Sequence, residues 1–162
     1  MNRIGKAMDQ WRGEMPSLDL LPMEVVGLLK ATTAIARTSL ESFCREHGLQ
    51  LGEFDVLATL RRAGAPYSLA PTQLFRDMMI TSGGMTNRLD RLEKAGLIRR
   101  APNPEDRRGT LVSLTPKGLD LITHVIPQHV DNEAALLSPL DRKEQEQLRA
   151  LLGKLLAGLE GE

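Results

Sequence analysis

Apolar residues recur at three- and four-residue spacing along most of the chain, and the period shortens to two in one region only. Ile4, Ala7, Met8 and Trp11 predict a short amphipathic helix over 3–14, closed by Pro16. From Pro22 to about His47 a long helix is predicted, with proline in its first turn and His47-Gly48 at its end. Its apolar positions (Val25, Val26, Leu28, Leu29, Ile35, Leu40, Phe43) exceed one stripe, so it should bury more than one side, as at a subunit interface. Glu53 to Arg62 is a further helix, with Phe54, Val56, Leu57 and Leu60 inward. Asp55 sits among those apolar neighbours and needs a partner, for which Arg88 and Arg62 are candidates.

After the break at Ala65-Pro66, Tyr67–Ala70 can add a small strand, and Pro71–Met79 reads as a short helix. A turn, MITSG, leads into a helix that Thr81 or Ser82 can cap and that Gly96 ends. Leu97–Arg100 and Thr110–Leu114 are strands joined by the charged turn APNPEDRRG. Thr115 should cap a helix opened by Pro116 and continuing past Pro127; Ser138-Pro139 should start a last amphipathic helix carrying Leu140, Leu148, Leu151, Leu152, Leu155 and Leu156. On the helix after the turn, Met85, Leu89 and Leu92 share the inward side, Gly83, Gly84, Asn87 and Arg91 face out, and Arg88 lies at the border. Two glycines at a helix start cost stability, about 1 kcal/mol each against alanine, which suits an end that must approach a phosphate or base edge.

This order of elements is that of a winged helix-turn-helix. The expected class is mainly α with a small β-hairpin wing, in one domain over 1–162. Residues 51–115 form the DNA-binding lobe, and the helices of 1–47 and 116–162 form a dimerisation region. Its 162 residues carry 21 basic and 21 acidic side chains, a net charge of zero that argues against nucleic acid. The distribution reverses that reading. Arg61–Lys117 holds eleven Lys/Arg against five Asp/Glu, so the segment bearing the helix and wing is at +6.

No apolar run approaches a membrane span, the N-terminus lacks the pattern of a signal peptide, and the single Cys44 suits a reducing cytoplasm. His47, His124 and His129 do not have metal-ligand spacing, no phosphate-binding loop or nucleophile elbow occurs, and neither an enzyme nor a cofactor is expected. Two other readings stand beside DNA binding by a ligand-responsive regulator. One is thiol-oxidation sensing at Cys44; the other is a winged helix that binds a protein partner.

The run TSGGMTNRLDRLEKAGLIRRAPNPEDRRGTLVSLTPKG resembles the recognition helix and wing of MarR-type bacterial transcriptional regulators. QWRGEMPSLDLLPMEVVG ahead of GEFDVLATLRRAGAPY is similar to the PecS and urate-responsive branch of that family, which carries an extra N-terminal helix. The resemblance implies a homodimer on a pseudo-palindromic double-stranded operator, usually as a repressor. It implies DNA contacts from Ser82, Gly84, Thr86, Asn87, Arg91, Arg107 and Arg108, with Arg108 in the minor groove and Asp106 orienting the wing. It also implies that Trp11, Asp55, Arg88 and Arg100 bind a small anionic effector such as urate.

Overall fold

The computed structural model describes residues 3–78, 84–104 and 109–161. The chain divides into two compact units, 1–42 and 43–162. The first holds α1 (Arg3–Glu14) and most of α2 (Leu21–Glu46). Gly27 of α2 leaves room for Ile4, whose Cγ2 lies 3.2 Å from where a Cβ would stand. Arg12 of α1 bonds Asp9 at 2.7 Å and reaches Glu24 of α2 at 3.5 Å. Among the described residues the predicted second buried side of α2 is not covered: Val25, Val26 and Ile35 are exposed, and of this helix Phe43 and Cys44 are buried.

The second unit contains α3 (Leu51–Arg62), β1 (Ser68–Leu69), α4 (Pro71–Asp77), α5 (Met85–Lys94), β2 (Ile98–Pro102), β3 (Thr110–Leu114), α6 (Pro116–Leu137) and α7 (Arg142–Glu160). The antiparallel sheet has the order β1-β3-β2, with Ile98 opposite Leu114 and Pro102 opposite Thr110. Beyond the last strand pair the Asn103 N–H donates to the Gly109 carbonyl at 2.9 Å, which carries the hairpin toward its tip. Helix α3 is central: Phe54, Val56, Leu57 and Leu60 are buried as the pattern predicts, and so are Glu53, Asp55 and Thr59. Around it pack Leu74 of α4, Leu89 and Leu92 of α5, Ile98, Val112, and Ile122 and Val125 of α6. Helix α6, grouped by the sequence with the dimerisation region, thus shares the core of the winged lobe.

Two helix ends use the same device. At Gly48 (φ 73°) and Gly96 (φ 71°) the chain enters the left-handed region, and the following N–H reaches back to Cys44 and Leu92 respectively, at 2.9 Å in both. The last helix starts later than the sequence suggests. Asp141, not Ser138, is its cap: it accepts from the Glu144 N–H at 2.8 Å while the Glu144 carboxylate accepts from the Asp141 N–H at 2.8 Å. Reciprocal satisfaction of two otherwise unpaired donors outweighs the proline signal at 139. No side chain of α7 is buried, and Leu151 and Leu159 are 67% and 76% exposed.

Candidate nucleic-acid interface

Helix α5 begins at Met85, with Gly84 as its cap in the left-handed region (φ 93°) and nothing within 4 Å of the place a Cβ would occupy. Thr81 and Ser82, the expected caps, lie outside the described residues, as do Asp106, Arg107 and Arg108 of the wing. Thr86 and Asn87 are exposed, and Leu89 and Leu92 are buried, as the helical spacing requires. Arg91 is exposed but not loose: its Nε donates to Oε1 of the buried Glu53 at 2.9 Å. The other oxygen of Glu53 accepts the Gln50 N–H at 2.7 Å, so one carboxylate caps α3 and braces α5. This role escaped the sequence reading, although a Gln50–Glu53 spacing of three was the available signal.

Of the three candidate effector residues in the second unit, Arg88 and Asp55 lie toward one face of α3 and Arg100 is engaged on another side of α5. The Arg88 guanidinium lies over Gly52, with its Cζ 2.6 Å from a hypothetical Cβ there. Asp55, buried, stands three residues beyond Gly52 and hence on the same face of α3. Trp11 is 42% exposed on α1. Arg100 is held elsewhere. Its Nη2 donates to Asp90 at 2.7 Å and to Glu93 at 2.5 Å, its Nε to Glu93 at 2.9 Å, and its backbone N–H to Glu93 at 2.9 Å. Asp90 and Glu93 lie about 200° and 140° round α5 from Arg88. Arg100 therefore ties the wing strand β2 to the flank of α5 away from Arg88.

The side-chain and backbone hydrogen bonds from Arg100 hold the Glu93 carboxyl below the usual 4.5. A depressed carboxylate adds stability above its ordinary value and loses it as pH falls through the depressed one. Glu93→Gln is accordingly expected to melt below the wild type at pH 7, with the gap closing under acidification below 4.5. A gap that does not change with pH in paired thermal melts would remove the ionised latch.

At its far end α5 is gripped by the segment LTPKG. The Lys117 ammonium donates to the Ala95 carbonyl at 2.9 Å, and the Thr115 hydroxyl to the Gly96 carbonyl at 2.7 Å. The Thr115 N–H donates to the Leu97 carbonyl at 3.1 Å, and the same Thr115 hydroxyl accepts from the Gly118 N–H at 3.0 Å, capping α6. Gly118 is required by closeness: a Cβ there would overlap the Leu97 carbonyl oxygen and stand 2.8 Å from its carbon. The residues that start α6 thus satisfy the carbonyls of Ala95, Gly96 and Leu97, just past the end of α5.

A cross-braced helix seated by Leu89 and Leu92, with a glycine-opened, polar outward end, followed by the β2–β3 hairpin that pairs with β1, defines a winged helix-turn-helix. The MarR family model matches residues 49–110. The chain is 43% identical over 152 residues to the transcriptional regulator PecS of Dickeya dadantii, covering 94% of this chain and 92% of that one. A cysteine-to-serine mutant of Escherichia coli MarR, solved with operator DNA, superposes with a TM-score of 0.71 at 27% identity over 90% of this chain and 97% of its own. A MarR family regulator from Streptomyces coelicolor, solved in complex with DNA, shares the fold at TM-score 0.78 and 24% identity over 88% and 89% of the two chains. This chain belongs to the MarR family of transcriptional regulators, and its likeness to PecS places it in that branch.

Among the described residues no helix is long and apolar enough to cross a membrane, and no group of His, Cys, Asp and Glu could hold a metal ion.

Proposed function

We propose that the protein is a cytoplasmic repressor that binds a pseudo-palindromic operator as a homodimer and is released by a small planar anion such as urate. The observation that carries the effector reading is the pairing of places at the head of α3: a buried Asp55 one turn from Gly52, over which the Arg88 guanidinium lies. An arginine fork suits adjacent acceptors of a planar anion, and the like charge of Asp55 gives that anion a preference between conformations. Trp11 enters this reading through the resemblance alone. Arg100 is assigned instead to the latch between wing and α5. A second copy is the natural cover for the leucines of α7, which none of the described residues buries. DNA binding rests on exposed Thr86 and Asn87, the braced Arg91, and the wing's Arg107 and Arg108. The thiol-sensing alternative is disfavoured because Cys44 is fully enclosed.

The test starts from a duplex enriched out of a random pool by the pure protein. Its affinity is expected to fall steeply with salt, as released counterions require, and to weaken strongly in Arg108→Ala without loss of fold. Saturating urate should lower affinity roughly 5–150-fold, the range of ordinary allosteric coupling. Arg88→Ala should blunt that response more than it blunts DNA binding. An affinity and a melting temperature both unmoved by urate would discard the effector reading, and an affinity independent of salt would discard DNA binding.

A further inference from the structure

Among the described glycines, Gly48, Gly64, Gly84, Gly96 and Gly161 adopt positive φ, and Gly52 does not. It stands in the first turn of α3 on ordinary helical backbone, where alanine would form helix better. Conformation therefore gives no reason for a glycine here. Space does. A Cβ built on Gly52 stands 2.5 Å from Nε, 2.6 Å from Cζ and 3.1 Å from Cδ of Arg88. Ordinary contact between carbons begins near 3.5 Å, so the guanidinium would have to retreat by about 1 Å.

Arg88 has little freedom to do so. The residue is half-buried and its Nη1 is enclosed. Its backbone N–H donates to the Gly84 carbonyl at 3.1 Å, which closes the first turn of α5. The exposed Thr86 and Asn87 lie inside that turn. One turn further on, Nε of Arg91 donates to Oε1 of Glu53 at 2.9 Å. Two consecutive residues of α3, Gly52 and Glu53, thus receive two arginines of α5 that lie a turn apart. Glu53 contributes a charge, and Gly52 contributes room.

We infer that Gly52 is a positioning residue for the DNA-reading helix: its bare Cα is the seat on which Arg88 holds the first turn of α5 against the head of α3. The bonds to Ala95, Gly96 and Leu97 hold the far end of α5. The seat at Gly52 holds the reading end. A side chain at 52 lifts that end, and Thr86 and Asn87 with it, by about the 1 Å that separates a made from a spoiled hydrogen bond. The inference rests on α5 reading DNA and not on any effector at Arg88.

The test is a double-mutant cycle on the full-length protein, read by affinity for the enriched duplex and by thermal melting. Gly52→Ala is expected to weaken duplex binding about five- to tenfold, within the coupling found between residues in contact. Arg88→Ala, which empties the seat without filling it, should weaken binding less. In the Arg88→Ala background, Gly52→Ala should cost no further affinity and should raise the melting temperature. There the methyl no longer meets the guanidinium, and the better helix propensity of alanine is left to act alone. A glycine that served only its own helix would give the same shifts in both backgrounds. The inference is overturned by a Gly52→Ala chain that binds duplex like wild type, or by an effect of Gly52→Ala equal in size with and without Arg88. A wild-type affinity independent of salt would instead fell the DNA reading and this inference with it, while unequal melting shifts in the two backgrounds would still show the seat to be real.

Discussion

Gly118→Ala is expected to destabilise the protein by about 2–3 kcal/mol, the upper end of what an overpacked site costs. The added methyl meets the Leu97 backbone rather than a side chain that could swing aside, so α6 and the β2 approach must part. That separation stretches the Thr115 and Lys117 bonds to Gly96 and Ala95 together. For a chain of this size the melting temperature should fall by roughly 5–10 °C. Affinity for duplex should fall too, because the end of α5 is displaced. A variant melting within a degree or two of wild type would show that the junction is slack.

Glu53→Ala should cost about 2 kcal/mol in denaturant-unfolding measurements. About 1 kcal/mol is the lost cap on the Gln50 N–H, and the remainder is the brace on Arg91, discounted because that arginine is half exposed. Glu53→Gln, which keeps an acceptor for the cap, should lose less than half as much. Duplex affinity should drop severalfold in both variants, since an unbraced Arg91 must be ordered on binding. If Glu53→Ala unfolds at the wild-type denaturant midpoint, the brace has no energetic weight.

Most elements of the fold are legible from spacing alone. Leu89 and Leu92 inward, Asn87 outward and Arg88 between them follow from the helical period, and the structure keeps all three placements. Gly96 could be read as a helix stop because few residues other than glycine accept positive φ there. What pattern could not supply is which charges pair. Arg100 and Arg88 are alike in sequence, yet one is claimed by two carboxylates of α5 and the other lies across α3. That choice depends on the register that sets Arg100 opposite Val112, and register is a tertiary fact. The start of α7 was misplaced for a local reason, since the Asp141–Glu144 capping box competes with a proline two residues earlier.

The grip of Thr115, Lys117 and Gly118 on the end of α5 makes that helix a lever with its pivot at Ala95–Leu97. Its ten residues span about 15 Å, so a tilt of about 4° at the pivot carries the Gly84 end by about 1 Å. One ångström is a third of a hydrogen-bond length, enough to spoil a base contact at the tip. Helix α6, which holds the short arm, therefore needs to turn very little for the long arm to lose its register on a duplex.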